Sequence, residues 1–550
     1  MPLQRDRVLD ATRATGVGPP TDWMSRYARL AEAICTVKRR CQRLVILGTS
    51  TLNPRHPIPP DYTQMMSLLA HSQDPRAPGT LAMLGQWVWC VAYAVREMLR
   101  LAYVRWHCRG ALRRLKGEPA AVVMKTWGFG AEFVDDARDF YYGTLPKQLQ
   151  DRGLRCLLVV GDTRERMDRA FIERILRSHQ GRALPEEALM PWWAPLVVAC
   201  RQGIAAVALR RLTTHSSTRE MVLVARTACR AVLQPITLRN TMHYYAARNA
   251  VRRWQPRAYL TLYEGQPWEQ PSWRGAKAAR PDCVTVGYQH TIIMPHSFSL
   301  LRPNAGSWEP AAPEVALCVG GMTRRMMEPG HARSGTRFVT FGTFRRPVGD
   351  GLHGAPHPQR RTVLVLPEGN LPESKVIFDF AIQAAGRLPD HHFIFRCHPM
   401  LSFEHVRPHL HAVPERGSNI ALSTGGPILE EFQRTSVLLY RGSSAALYAL
   451  LHGIKPIYIE VPGSPDIDPL FELTGWRERV SSVERCADRL TQYATSREEE
   501  ALAQWREAGE YAHAYVKPVD EPAIETLLEA VGMVRSSSAH SVVSGGVVTR

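Results

Sequence analysis

A chain of 550 residues, 45% hydrophobic and 22% charged, exceeds what one hydrophobic core serves and is too apolar for wholesale disorder, so two large domains are expected. Its 69 Lys and Arg against 51 Asp and Glu leave a formal net charge of +18, a surface suited to phosphorylated substrates or acidic lipid headgroups. The basic residues are scattered and not interleaved with an RNP-like or helix-turn-helix pattern, which argues against nucleic acid. The 11 cysteines form no C-x-x-C pair and no His/Cys cluster at zinc spacing, as in a reduced, cytoplasmic protein with no metal site.

In chain order, the polar stretch after Met1 lacks the pattern of a secretory signal. Residues 1–115 are expected to hold helices and the first sheet elements. Within them the apolar stretch 81–95 is followed closely by Arg96, Arg100, Arg105, Arg109, Arg113 and Arg114. It is shorter than the roughly 20 apolar residues a spanning helix needs. Two readings stand: a core helix with a solvated basic end, or a helix in an anionic membrane interface, to which Trp87, Trp89 and Trp106 are suited. A second stretch of this kind covers 189–212, with Trp192, Trp193, Arg210 and Arg211.

Short apolar runs ending in turn residues and followed by helical patterns read as parallel strands. In the first half they are 43–48, 121–124, 156–160, Ala258–Leu262 and 284–288. In the second they are 338–341, Thr362–Leu366, His392–Phe395, Ile420–Leu422, Val437–Tyr440 and 456–459. Two sheets follow, in domains 116–344 and 362–532. The Pro, Gly, His and Arg-rich stretch 345–361 is the linker between them, and 533–550 has the composition of a frayed tail.

Ligands in open α/β sheets bind beyond the carboxyl ends of strands, and four groups of residues fall there. Arg441-Gly442-Ser443-Ser444 joins the strand Val437–Tyr440 to a helix and suits a phosphate, through Gly in the tight turn and hydroxyl and N–H donors at the helix start; the alternative is a plain Ser443 cap. Arg396-Cys397-His398-Pro399 follows the strand His392–Phe395, and an imidazolium there would stabilise a departing phosphate. Tyr263-Glu264-Gly265-Gln266-Pro267-Trp268-Glu269 offers a carboxylate as general base on an acceptor hydroxyl, with Gln289 and His290 as further cleft residues. Glu368 with Gly369 ends the strand Thr362–Leu366 and is a candidate for the nucleotide base or ribose.

The pattern from Gly442 through Lys455-Pro456-Ile457 resembles the donor-phosphate element of GT-B glycosyltransferases. Tyr263-Glu264-Gly265, His398-Pro399 and Ser443-Ser444 resemble, in that order, the three short motifs of bacterial sialyltransferases and their relatives, with Tyr263 where a first carboxylate is expected. A wider likeness over 120–480 is similar to the surface carbohydrate biosynthesis family of lipopolysaccharide and capsule loci. It includes Phe140-Tyr141-Tyr142-Gly143-Thr144-Leu145-Pro146 and Leu366-Pro367-Glu368-Gly369.

The resemblance implies two Rossmann-like domains facing across a cleft and inverting transfer from a CMP-activated, sialic-acid- or Kdo-like donor. It implies Glu264 as base, His398 assisting the departing nucleotide, and Ser443 and Ser444 at its phosphate, with no cofactor and no metal. The expected partners are a nucleotide-sugar donor, a glycan or lipid-linked glycan acceptor and an anionic membrane surface, on whose cytoplasmic side the protein would sit. Rival readings are a CDP-glycerol-type phosphotransferase, a nucleotide-sugar epimerase and a non-catalytic scaffold docked on the membrane.

Overall fold

Runs such as Val122-Val123-Met124, Cys156-Leu157-Leu158-Val159-Val160 and Val437-Leu438-Leu439-Tyr440 are buried along their whole length. Strands apolar on both faces form parallel sheets sandwiched between helices. The computed structural model describes residues 23–53, 79–128, 138–162, 167–215, 218–295, 297, 300–301, 311–345, 354–398, 401–413, 418–462 and 466–533.

The first sheet holds β1 (Val122–Gly128), β2 (Cys156–Asp162), β3 (Ala183–Pro185), β4 (Ala258–Leu262), β5 (Val284–Gln289), β6 (Val315–Cys318) and β7 (Arg337–Thr340), in the order β3-β2-β1-β4-β5-β6-β7. The second holds β8 (Thr362–Leu366), β9 (His392–Phe395), β10 (Ile420–Leu422), β11 (Val437–Tyr440), β12 (Lys455–Ile459) and β13 (Glu478–Val480), in the order β10-β9-β8-β11-β12-β13. Every pairing within them is parallel. In each sheet the winding reverses once, between β1 and β4 and between β8 and β11, and such reversals open a crevice at the strands' carboxyl ends. Leu366 pairs with Tyr440, so the turns after β8 and β11 leave the second sheet side by side.

The helices used below are α1 (Trp23–Arg40), α2 (Thr80–Arg114), α3 (Ala194–His215), α4 (Arg219–Ala231), α5 (Pro235–Trp254), α6 (Glu269–Ala279), α7 (Leu371–Arg387), α8 (Ala445–Leu451), α9 (Glu498–Tyr515) and α10 (Glu521–Ala530). Helices α1 to α5 make an extra layer on the first domain, with buried contacts such as Leu30, Ile34, Leu209 and Val224. Asn370 starts α7 by accepting the Glu373 N–H at 3.0 Å, with Pro372 in the first turn, as capping preferences require.

The two-sheet α/β expectation holds. One expected strand does not: within 43–48, Val45–Gly48 is a 3₁₀ turn. It has no neighbouring strand to pair with, and its Gly48 carbonyl accepts from Asn240 of α5 at 3.0 Å. Strand 338–341, grouped above with the second half, is the β7 edge of the first sheet. Of the expected linker, 346–353 lie outside the described residues, while Ala355 and Pro356 pack closely on Gly453. Most of the expected tail, 534–550, also lies outside them.

After α9 the chain returns to the first domain. Tyr515 Oη accepts the Ile293 N–H at 2.7 Å, the Lys517 N–H donates to Val319 at 2.8 Å, and the Thr343 N–H donates to Lys517 at 2.7 Å. Arg257 then donates to the Val531 carbonyl at the end of α10. Two stretches of chain thus bridge the domains, one on each side of the second sheet's sequence.

Candidate functional site

In the first domain the turn after β4 is built around Glu269. This side chain is buried, and its two oxygens accept the N–H groups of Glu264 at 2.8 Å and Gly265 at 3.0 Å. Gly265, at φ +79°, takes the left-handed conformation that the turn requires. Burial pushes the Glu269 carboxyl well above its usual range, although those backbone donors pull the other way. Glu269 therefore does not line a cleft. It fixes the turn that presents Glu264.

Glu264 Oε1 lies 2.9 Å from His290 Nε2, and its other oxygen accepts from Gln266 at 2.9 Å. Burial opposes its charge, but His290, Gln266 and Arg345 outweigh that and hold the carboxyl down to about 2. His290 is buried, with Tyr141 edge-on at 4.7 Å. Its Nδ1 has no hydrogen-bond partner among the described residues. Gln289 does not share this place. Fully buried, it donates to the Thr291 carbonyl and accepts the Val319 N–H, as expected for a residue one step from His290 on an alternating strand. Tyr263, where the resembling motif has a carboxylate, is a core residue bonded to His331 at 3.1 Å and packed on Trp273.

Two neighbours carried no assigned role in the sequence. Tyr141 belongs to the Phe-Tyr-Tyr-Gly stretch, positioned by Asp139, whose carboxylate accepts the N–H groups of Tyr141 and Tyr142 at 2.9 and 2.8 Å. Arg345 lies over the Tyr141 ring at 5.7 Å. The aromatic run was a signal for the first. Nothing local distinguished Arg345 from the other basic residues of the linker.

In the second domain, three turns meet at the reversal between β8 and β11. A Cβ on Gly442 would fall 2.9 Å from the Glu368 carboxyl carbon, and one on Gly369 would fall 2.7 Å from His398 Nδ1. Glycine at both positions lets Glu368 and His398 close over the backbone. Asn370 holds Glu368 at 3.0 Å. Partial burial draws the His398 imidazole below its ordinary value, while the Glu368 carboxylate pulls it up. Pro399 lies outside the described residues.

Ser443 Oγ accepts the Ala445 N–H at 3.3 Å in the turn before α8, while Ser444, in the cap position, makes no side-chain cap bond and is exposed. The two arginines expected to bind donor face inward. Arg441, 2% exposed, makes a two-pronged pair with Glu373 at 2.6 and 2.7 Å and donates to Ile459 at 3.1 Å. Arg396 pairs with Glu431 at 3.0 Å and donates to Gly426 at 2.8 Å. A guanidinium satisfied in this way ties strand ends to the next layer. Both are struts beneath the turns. What remains at the surface is Glu368, His398, Ser443 and Ser444, with Gly442 buried beneath Glu368.

Tyr448 of α8 is close enough to Tyr288 of β5 to add to the upward pressure that burial places on the Tyr288 phenol, and Tyr288 Oη donates to Gly342 in the crossing segment at 3.0 Å.

No family model matches the chain, and no curated protein matches it. Solved structures do. The glycotransferase of kitacinnamycin is 12% identical, covers 75% of this chain and 99% of its own, and has a TM-score of 0.42. The UDP-GlcNAc 2-epimerase of Neisseria meningitidis is 11% identical, with 74% and 100% coverage and a TM-score of 0.42. CalG4, the calicheamicin glycosyltransferase, is 13% identical, with 76% and 99% coverage and a TM-score of 0.41. The chain's own two parallel-sheet α/β domains, of seven and six strands, make the two-Rossmann-like arrangement of a GT-B fold.

Proposed function

We propose that the protein is a glycosyltransferase of surface polysaccharide synthesis that moves a sugar from a nucleotide donor to a glycan or lipid-linked glycan acceptor. The observation that carries this reading is the convergence of Glu368, His398 and the Gly442-Ser443 turn at the strand reversal of the second sheet, with a carboxylate–imidazole pair at a strand end of the first. Small hydroxyls, backbone N–H groups and an imidazole suit the phosphate of a departing nucleotide. The motif resemblance favours a CMP-activated donor.

In the reaction so read, the acceptor oxygen attacks the anomeric carbon as the bond from that carbon to the nucleotide's phosphate oxygen breaks. The acceptor's proton passes to the Glu264–His290 pair, and the negative charge left on the phosphate is met by His398 and the Ser443 turn. A carboxylate held down to about 2 accepts a proton poorly, and general bases work best near the operating pH. An imidazole is the side chain whose ordinary range lies nearest neutrality. His290 Nδ1 is therefore the proton acceptor in this reading, with Glu264 orienting the ring from Nε2.

The test is thermal stabilisation by CMP, CDP, UDP and GDP, followed by product analysis with the nucleotide sugar that binds. A saturating ligand at one hundred times its Kd stabilises by ~2.7 kcal/mol, and a cytidine nucleotide is expected to do so. Failure of all four nucleotides to stabilise would end this reading. An epimerised free sugar, a transferred glycerol phosphate, or full cellular function after Glu264→Ala would establish one of the rival readings instead.

A further inference from the structure

Helix α2 is apolar on two sides. Cys90, Ala94, Leu101, Val104 and Cys108 pack into the first domain. Leu81, Leu84, Val88, Val95, Leu99 and Trp106 are exposed, Leu99 by 71% and Trp106 by 63%. Their steps of three, four and seven residues keep them on one outward stripe, ~38 Å long at ~1.5 Å per residue. Helix α3 lies antiparallel beside it: Trp87 donates to Ala199 at 3.0 Å, and Arg210 donates to Thr80 at 2.8 Å. It adds exposed Trp193, Ile204 and Val207 to the same side.

The charges on these helices are of one sign. Between them they carry nine arginines and one carboxylate, Glu97, which is buried and paired with Arg100 at 2.8 Å. Arg100 also reaches Glu187, and Arg105 donates to the Ala188 and Met190 carbonyls, so these two, expected from the sequence to face lipid, turn into the protein. Arg96, Arg109, Arg113, Arg114, Arg201 and Arg211 are exposed, and Arg109 stacks on Trp106 at 3.8 Å.

We propose that this two-helix face rests on an anionic lipid bilayer, with its apolar stripe among the acyl chains and its arginines at the phosphates. No single helix among the described residues is long and apolar enough to cross a membrane, so the face lies on the bilayer. Pairing of two copies through this face would set arginine rims together with no exposed carboxylate on either helix to offset them. An anionic bilayer supplies both the apolar phase and the opposite charge. The proposal deepens the reading above, on which it rests for the lipid-borne acceptor.

The experiment sediments the full-length protein with vesicles of phosphatidylcholine, with and without phosphatidylglycerol, at low and high salt. Binding is expected only with phosphatidylglycerol and is expected to weaken with salt. Leu99→Glu and Trp106→Glu should abolish it. Arg96→Gln, Arg109→Gln and Arg113→Gln should each lower partitioning about fivefold, the equivalent of ~1 kcal/mol per basic residue. Melting temperature and nucleotide binding of the Arg→Gln variants should match wild type, so loss of vesicle binding stands apart from misfolding and from failure of the donor reading. Equal binding by all variants, or equal binding to phosphatidylcholine alone, overturns the proposal. So does a change from dimer to monomer on Leu99→Glu without lipid, which would make the face an interface between copies.

Discussion

The turn after β4 and the turns after β8, β9 and β11 occupy the same topological place in their sheets, yet they are built in opposite ways. The first is anchored by a buried carboxylate, Glu269, that gathers backbone N–H groups and presents a carboxylate–imidazole pair, half-buried Glu264 and buried His290. The second set is anchored by inward-facing guanidiniums, Arg396 and Arg441, that leave small hydroxyls and one imidazole outside. An acid anchor takes up backbone donors, whereas a basic anchor takes up carboxylates, here Glu431 and Glu373. The first arrangement suits taking up a proton and the second suits receiving a phosphate.

The sharpest way to break this contrast is chemical. His290→Ala is expected to lower turnover by roughly 10²- to 10⁴-fold, the usual contribution of a general base, with nucleotide affinity unchanged. Steady-state kinetics beside calorimetric titration would show it, and a parallel loss of nucleotide affinity would place His290 on the donor side. The anchors come next. Arg441→Met leaves Glu373 without its partner, and breaking a buried pair costs ~3–5 kcal/mol. Urea unfolding should show a loss of that size, and a change under ~1 kcal/mol, the range of exposed pairs, would mean that the guanidinium is no strut.

Ser443→Ala is expected to weaken nucleotide binding about fivefold by removing one hydrogen bond worth ~1 kcal/mol, while stability falls by no more than the loss of one weak hydrogen bond in the turn. The smallest effect concerns pH. The Glu264 carboxyl sits near 2 in the fold against an ordinary 4.5, so its stabilising contribution is complete above the ordinary value and fades as pH falls toward the folded one. The stability gap between wild type and Glu264→Gln should therefore be constant near neutrality and narrow through that acid window. A gap that widened on acidification would show that the Glu264 carboxyl is not held below its ordinary value.

Strands such as β2, β8 and β11 are legible because burial on both faces leaves no other use for a short apolar run that ends in turn residues. β3, Ala183-Leu184-Pro185, and β13, Glu478-Arg479-Val480, lack such a run, β6 is apolar throughout yet absent from the expected strands, and residues 43–48 carry the pattern without a partner strand among the described residues. At the site, the positions of Glu264, His398 and Gly442 follow from strand ends alone. The inward turn of Arg396 and Arg441 does not, because it depends on Glu431 and Glu373, 35 and 68 residues away. The two-sidedness of α2 was likewise hidden: apolar residues on both faces give composition without direction.

The double crossing between the domains, at 341–345 and again at 515–519, has a mechanical meaning. Thr343 and Pro518 form a parallel bridge, and a Cβ on Gly342 would fall 2.7 Å from the Pro518 carbonyl oxygen. The two stretches thus run as a laced pair. A single tether leaves a domain free to twist as well as swing, but a laced pair resists torsion and permits bending about one axis. The lacing holds each stretch by the other where it lies on the first domain, so neither can shift there without its partner.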